Sequence, residues 1–266
     1  MKIILLLLAL SPITLLAQKP DTKAQKKADR KAQVQKLKQQ AEEDAIVFNK
    51  QTAFGIKLAT DGYGAMIEIG KMKTLNKASL YWFEIGERKH PKEEKLSLAG
   101  FNFSNPFIYG KRNNFYFAKF GIAQNQLIGG KGNKNGVAVS AVYGGGISAG
   151  LLKPYYIEIL DPGNGKQRDI RYSDNLSKDD TLFMDPSVII GGAGFTKGFG
   201  EMKFVPGAHA KAALRFDYGR YNEMVSALEV GLNAEFYSQK MPIMLLNKEK
   251  NLFINAYVSI VFGKRK

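Results

Sequence analysis

Two histidines, no cysteine and a set of charged side chains at alternate positions limit the chemistry open to this 266-residue chain. His209, Lys211, Arg215 and Asp217 fall on odd positions of one segment, and Glu229 and Glu235 fall on odd positions of the next. An imidazole beside carboxylates becomes a general base when a serine joins it, and a Ser–His–acid set in a membrane protein would deacylate lipid. Ser226, Ser238 and Ser259 are the serines placed to try. The other reading, and the expected one, is that these six residues form a polar network filling an interior, with no catalytic residue. No metal is expected, since two isolated histidines lack ligand spacing. Gly192, Ala193, Gly194 and Gly198 superficially match a dinucleotide loop, but that loop needs a βαβ unit, so no cofactor is expected either.

The segments that carry these residues have a period of two. In 208–218, Ala208, Ala210, Ala212, Leu214, Phe216 and Tyr218 oppose the charged row, and 222–237 and 251–262 repeat the pattern with Leu228, Val230 and Leu232, then Ile254, Val258 and Ile260. Successive strand side chains point to opposite faces, so each segment has one apolar and one polar surface. Shorter segments around Phe54, Ile67, Tyr81, Tyr116, Val137 and Tyr155 do the same, which makes about nine strands. A soluble sandwich would bury the apolar rows; a membrane barrel turns them to lipid and the charged rows to its lumen. Segments of 10 or more residues suit a tilted crossing, which needs ~9–11. Aromatics gather near strand ends, at Tyr81 to Phe83, Phe115 to Phe117, Tyr155 with Tyr156, and Phe236 with Tyr237, as interfacial girdles would. The expected fold is all-β: a transmembrane antiparallel up-and-down β-barrel of eight to twelve strands, ten preferred because the number is usually even, spanning 51–266.

Ahead of it lie two other zones. Met1-Lys2 followed by the apolar run Ile3 to Leu10 predicts a signal peptide over 1–17, too short to anchor. Residues 18–50 carry eight Lys or Arg before Asp44, with alanines at helical spacing, and predict a basic periplasmic helix. A secreted chain without cysteine suits the envelope of a Gram-negative cell. The formal charge of +15 is then read as contact with anionic lipid, since the basic leader has no interleaved aromatics for nucleic acid up to Asp44. Residues 87–112 read as a hydrophilic exterior loop, and 161–206 as a segment too long to be idle, either folded back on the lumen or carrying a short helix.

Tyr109-Gly110-Lys111 with Asn113-Asn114-Phe115, Gly150 to Tyr156, Lys197 to Lys203 leading to Pro206-Gly207, and Phe262 to Arg265 together resemble an uncharacterised outer-membrane β-barrel family of Bacteroidota-type bacteria. The resemblance covers about residues 100–266. It implies an outer-membrane barrel and carries over no activity and no site residue. The expectation is therefore a non-enzymatic integral barrel of the cell outer membrane, a structural or accessory subunit of an envelope assembly. Its partners would be outer-membrane lipid and lipopolysaccharide and an envelope protein, with no nucleic acid. A small pore is the alternative, and a lipid A-modifying hydrolase a third.

Overall fold

The computed structural model describes residues 30–31, 48–97, 105–131, 136–219 and 223–266. The signal peptide and nearly all of the expected leader helix lie outside these residues; Arg30 and Lys31 are helical and exposed.

Among the described residues thirteen strands run in chain order: β1 Lys50–Ala59, β2 Gly62–Thr74, β3 Lys77–Arg88, β4 Lys95–Leu96, β5 Phe107–Ile108, β6 Asn113–Gly129, β7 Ala138–Pro154, β8 Tyr156–Leu160, β9 Gln167–Arg171, β10 Ile189–Gly192, β11 Lys203–Asp217, β12 Met224–Met241 and β13 Lys250–Arg265. Eight of them, β1, β2, β3, β6, β7, β11, β12 and β13, pair antiparallel in that order, and β13 returns to β1 to close a barrel. The seam holds from Gln51 opposite Arg265 to Ala59 opposite Tyr257. Ten strands, the preferred count, is therefore corrected to eight. The ninth alternating segment, around Tyr155 to Ile159, is β8, which pairs with β9 and β10 in a separate three-stranded sheet. Alternation reports that a strand has two unlike faces and not which sheet it joins. At five residues β8 is too short to cross hydrocarbon.

An even count brings the first and last strands of the barrel to one rim, where Asn49 N and Lys50 N donate to Lys266 O at 2.7 and 2.9 Å. The β2–β3 turn lies at this terminal end. The two longest connections, 89–112 and 155–202, leave the other rim, the loop end. Short turns at one end and long loops at the other are the habit of outer-membrane barrels, which keep the short turns periplasmic. The segment 161–206 includes a short helix, Lys178–Phe183, and packs with β8 to β10 around Phe107, Ile157, Ile159, Ile170 and Phe183.

The outward row is apolar on every barrel strand. Ile56, Ile67, Ile85, Ile122, Ile147, Leu232 and Ile254 are each more than half exposed. Soluble monomers rarely expose an apolar patch beyond a few hundred Å². A closed barrel also leaves no unpaired edge, which is what a lipid surround demands of a sheet. The barrel spans a membrane. The aromatic clusters divide between its faces: Tyr81, Phe83 and Phe236 point out, while Trp82, Phe115, Phe117 and Tyr237 point in and are buried. Adjacent residues on a strand cannot share a face, so only half of each expected girdle reaches lipid.

Gly121 shows how the interior is accommodated. It sits opposite Trp82 across β3 and β6, and a Cβ there would stand 2.3 Å from Trp82 Cζ2. The indole occupies the space that a side chain at 121 would need.

Candidate functional site

The inward rows of six of the eight strands carry buried charge: Lys57, Glu68, Glu84, Arg88, Lys119, Lys211, Arg215, Asp217, Glu229 and Glu235. Five are bases and five acids, and Asp61, Lys131 and Arg265 join them as partners. Burying so many ions is tolerable only if each finds a partner, because desolvation costs several kcal/mol per ion.

Arg215 forms the knot nearer the terminal end. Its guanidinium makes a fork to Glu68, Nη1 to Oε1 at 2.6 Å and Nη2 to Oε2 at 2.7 Å, and its Nε donates to Glu229 Oε2 at 2.9 Å. Gln51 Nε2 donates to Glu68 at 3.0 Å, Tyr257 OH to Glu229 at 2.6 Å, and Lys211 Nζ stands 3.5 Å from Glu229. Planar bidentate pairing is the geometry guanidinium is built for. In the middle, Lys57 and Lys119 share Glu84, and Lys119 also reaches Glu235. Toward the loop end Arg88 donates to Glu235 at 2.8 Å and stands 3.0 Å from Asp61. Tyr237 OH and Asn233 Nδ2 also donate to Glu235. Rings cover the remaining faces of the cations: Lys211 over Trp82 at 4.3 Å, Lys57 over Tyr257 at 4.2 Å and Arg88 over Phe253 at 4.5 Å.

Of the six residues singled out in the sequence, Lys211, Arg215 and Glu229 meet in the first knot. Glu235 belongs to the Lys119–Arg88 group, and Asp217 turns to Arg265 and Lys131. His209 joins no carboxylate: its Nδ1 lies 2.9 Å from Ser148 Oγ, and its ring meets Trp82 edge-on at 5.5 Å. Ser226 and Ser238 lie on the outward row of β12, and Ser259 is buried with no partner for its Oγ. The partners that sequence reading missed, Lys57, Glu68, Glu84 and Lys119, carried the same signal, a single charge between two outward apolar residues. Arg88, assigned to a hydrophilic loop, ends β3 and points inward.

The middle of the barrel has little space left, while at the loop end a recess of about 670 Å³ opens beside Arg88, Met241, Ile243 and Phe253. A recess of about 50 Å³ opens at the terminal end by Phe48, Gln51 and Arg265, and a gap of about 10 Å³ lies beside Lys57 and Glu84. Toward the loop end Phe115, Tyr237, Met241 and Ile243 close over the ions as an apolar cluster. Eight strands enclose an interior that side chains can fill, and here they do. Among the described residues no group of three or more His, Asp or Glu is placed to hold a metal ion.

Outside the membrane, Asp180 holds the insert together. Its carboxylate accepts from Ser173 N at 2.6 Å, Ser173 Oγ, Asn175 N and Ser177 N at 3.1 Å, and Ser177 Oγ caps the helix in return. Asp174 and Leu176 take positive φ within this loop, at 63° and 52°, a strained state for Leu that the anchored amides enforce. Burial would raise the carboxyl's pKa, but these donors outweigh it and hold the group down at about 2. A depressed carboxylate stabilises above its unfolded value near 4, and that contribution goes as pH falls through about 2. Protease sensitivity of the insert should therefore rise between pH 4 and pH 2, and Asp180→Asn should be sensitive already at pH 7.

The fold and its interior define a small, closed, outer-membrane-type β-barrel with an ion-paired core. No family model matches the chain, and no curated protein matches it. Among solved structures, Neisserial surface protein A is similar with a TM-score of 0.39 at 8% identity, covering 82% of this chain and 96% of that one. The N-terminal β-barrel domain of OprF from Pseudomonas aeruginosa is similar with a TM-score of 0.36 at 10% identity, covering 81% and 98%. The attachment invasion locus protein Ail of Yersinia pestis gives 0.35 at 7%, covering 83% and 100%.

Proposed function

We propose that this chain is a non-conducting structural or accessory barrel of the outer membrane in a Bacteroidota-type cell, displaying its insert outside and holding an envelope partner through its basic leader. The observation that carries the reading is the filled interior. A conduit needs a continuous polar path, whereas here the buried charges are held in ion pairs across the middle of the barrel and an apolar cluster lies toward one end. The same filling weighs against a lipid-modifying hydrolase: His209 and Ser148 are both buried, and no acyl chain would fit beside them. The strong outward apolar belt is what supports the membrane placement, and the signal peptide directs it to the envelope.

Planar-bilayer recording of the purified chain tests this. Silence at voltages that open porins is the expected result; reproducible unitary steps would transfer the proposal to the pore reading.

A further inference from the structure

A groove of about 660 Å³ runs along the outside of the barrel at the loop end, between the rim and the insert. Its barrel wall is an outward row: Tyr63, Glu87, Tyr116 and Lys153 alternate with the buried inward residues Arg88, Phe117 and Leu152. Five lysines line it against two glutamates. Lys111 is matched by Glu93 at 2.7 Å and Lys197 by Asp169 of the insert at 2.8 Å, while Glu87 accepts the Tyr63 hydroxyl. Lys89, Lys95 and Lys153 have no carboxylate within ion-pair distance among the described residues.

Lys153 is the telling one. It is 2% exposed, its Nζ donates to one acceptor, Phe195 O at 2.5 Å, and the rings of Phe195 and Phe199 lie 4.5 and 4.4 Å away. A buried ammonium without a counterion is costly, and an anion resting in the groove would relieve it. The outward rows of the same strands continue from Tyr63 to Ile67 and from Tyr116 to Phe120, exposed and apolar toward the membrane centre. Cations at the rim above an apolar slope, with tyrosines at the level of the interface, match a molecule with a phosphate head and acyl chains.

We infer that this groove binds the phosphorylated headgroup of an outer-leaflet lipid, with Lys89 and Lys95 in direct contact and Lys153 as a charge beneath. The inference rests on the outer-membrane reading with the loop end outward.

The full chain in detergent micelles, titrated with bisphosphorylated lipid A and followed by native mass spectrometry, tests it. K89Q/K95Q should bind about twenty-five-fold more weakly, taking about fivefold for each lysine near an anionic head. K71Q/K73Q, two exposed lysines at the opposite end, should bind as the parent does. Dephosphorylated lipid A should bind poorly, and inorganic phosphate at millimolar concentration should not displace the lipid. Equal losses in both variants, no loss in K89Q/K95Q, or displacement by inorganic phosphate would each overturn the site. Carbonate-washed membranes separate the two claims: a chain that stays with the outer membrane while treating both variants alike loses only the lipid site, and one that washes off loses both.

Discussion

Arg215→Met should cost the barrel about 3–5 kcal/mol, the penalty for leaving buried charge uncompensated. Among the described residues the Arg215 guanidinium ties Glu68 on β2 to Glu229 on β12 across the interior, and its removal takes the main counter-charge from both carboxylates at once. The chain's single tryptophan, Trp82, sits in the same interior and reports the change without a label. In urea titrations of the micelle-bound protein the midpoint of its emission shift should fall well below that of the parent. The triple variant Arg215→Met, Glu68→Gln, Glu229→Gln should recover much of the loss, because neutral groups of similar shape carry no such penalty. A parent-like midpoint for Arg215→Met would mean that water, and not the guanidinium, satisfies these carboxylates.

Ile147→Arg addresses the other face. Ile147 is 68% exposed on β7, paired with Phe120 and Ala208. In water an arginine at so exposed a position should change stability by no more than about 0.5 kcal/mol. At the mid-plane of a bilayer it costs about 2–4 kcal/mol on the lipid face of a barrel. Folding into lipid vesicles, scored by the heat-modifiable mobility of barrels on gels, should therefore be strongly reduced. Ala149→Arg, two places nearer the rim, should be milder, since the penalty fades toward the interface. Indifference at both positions would put water against that surface and withdraw the membrane assignment.

Much of this architecture was legible as alternation. Period two located all eight barrel strands and assigned their faces, because a side chain two residues on returns to the same medium whatever the neighbours are. Number and partnership were not legible for a related reason: they depend on register between strands. β8 alternates like a crossing strand yet joins a side sheet. His209 meets Ser148 and not Ser226, Ser238 or Ser259, since β11 runs beside β7 with Gly207 opposite Ser148. Two of the interior ion pairs join residues 147 apart, Arg215 with Glu68 and Arg88 with Glu235. No local pattern encodes such pairs; closing the ring brings them together.

The hydrogen bond from Asn49 to the last carbonyl has a practical sequel. A short peptide linker joining residues 48 and 266 would leave the seam between β13 and β1 undisturbed, and the chain could then be opened between Asn247 and Lys248 at the opposite rim. The circularly permuted barrel would present both of its new ends at the rim that carries the insert, within reach of a label added from that side.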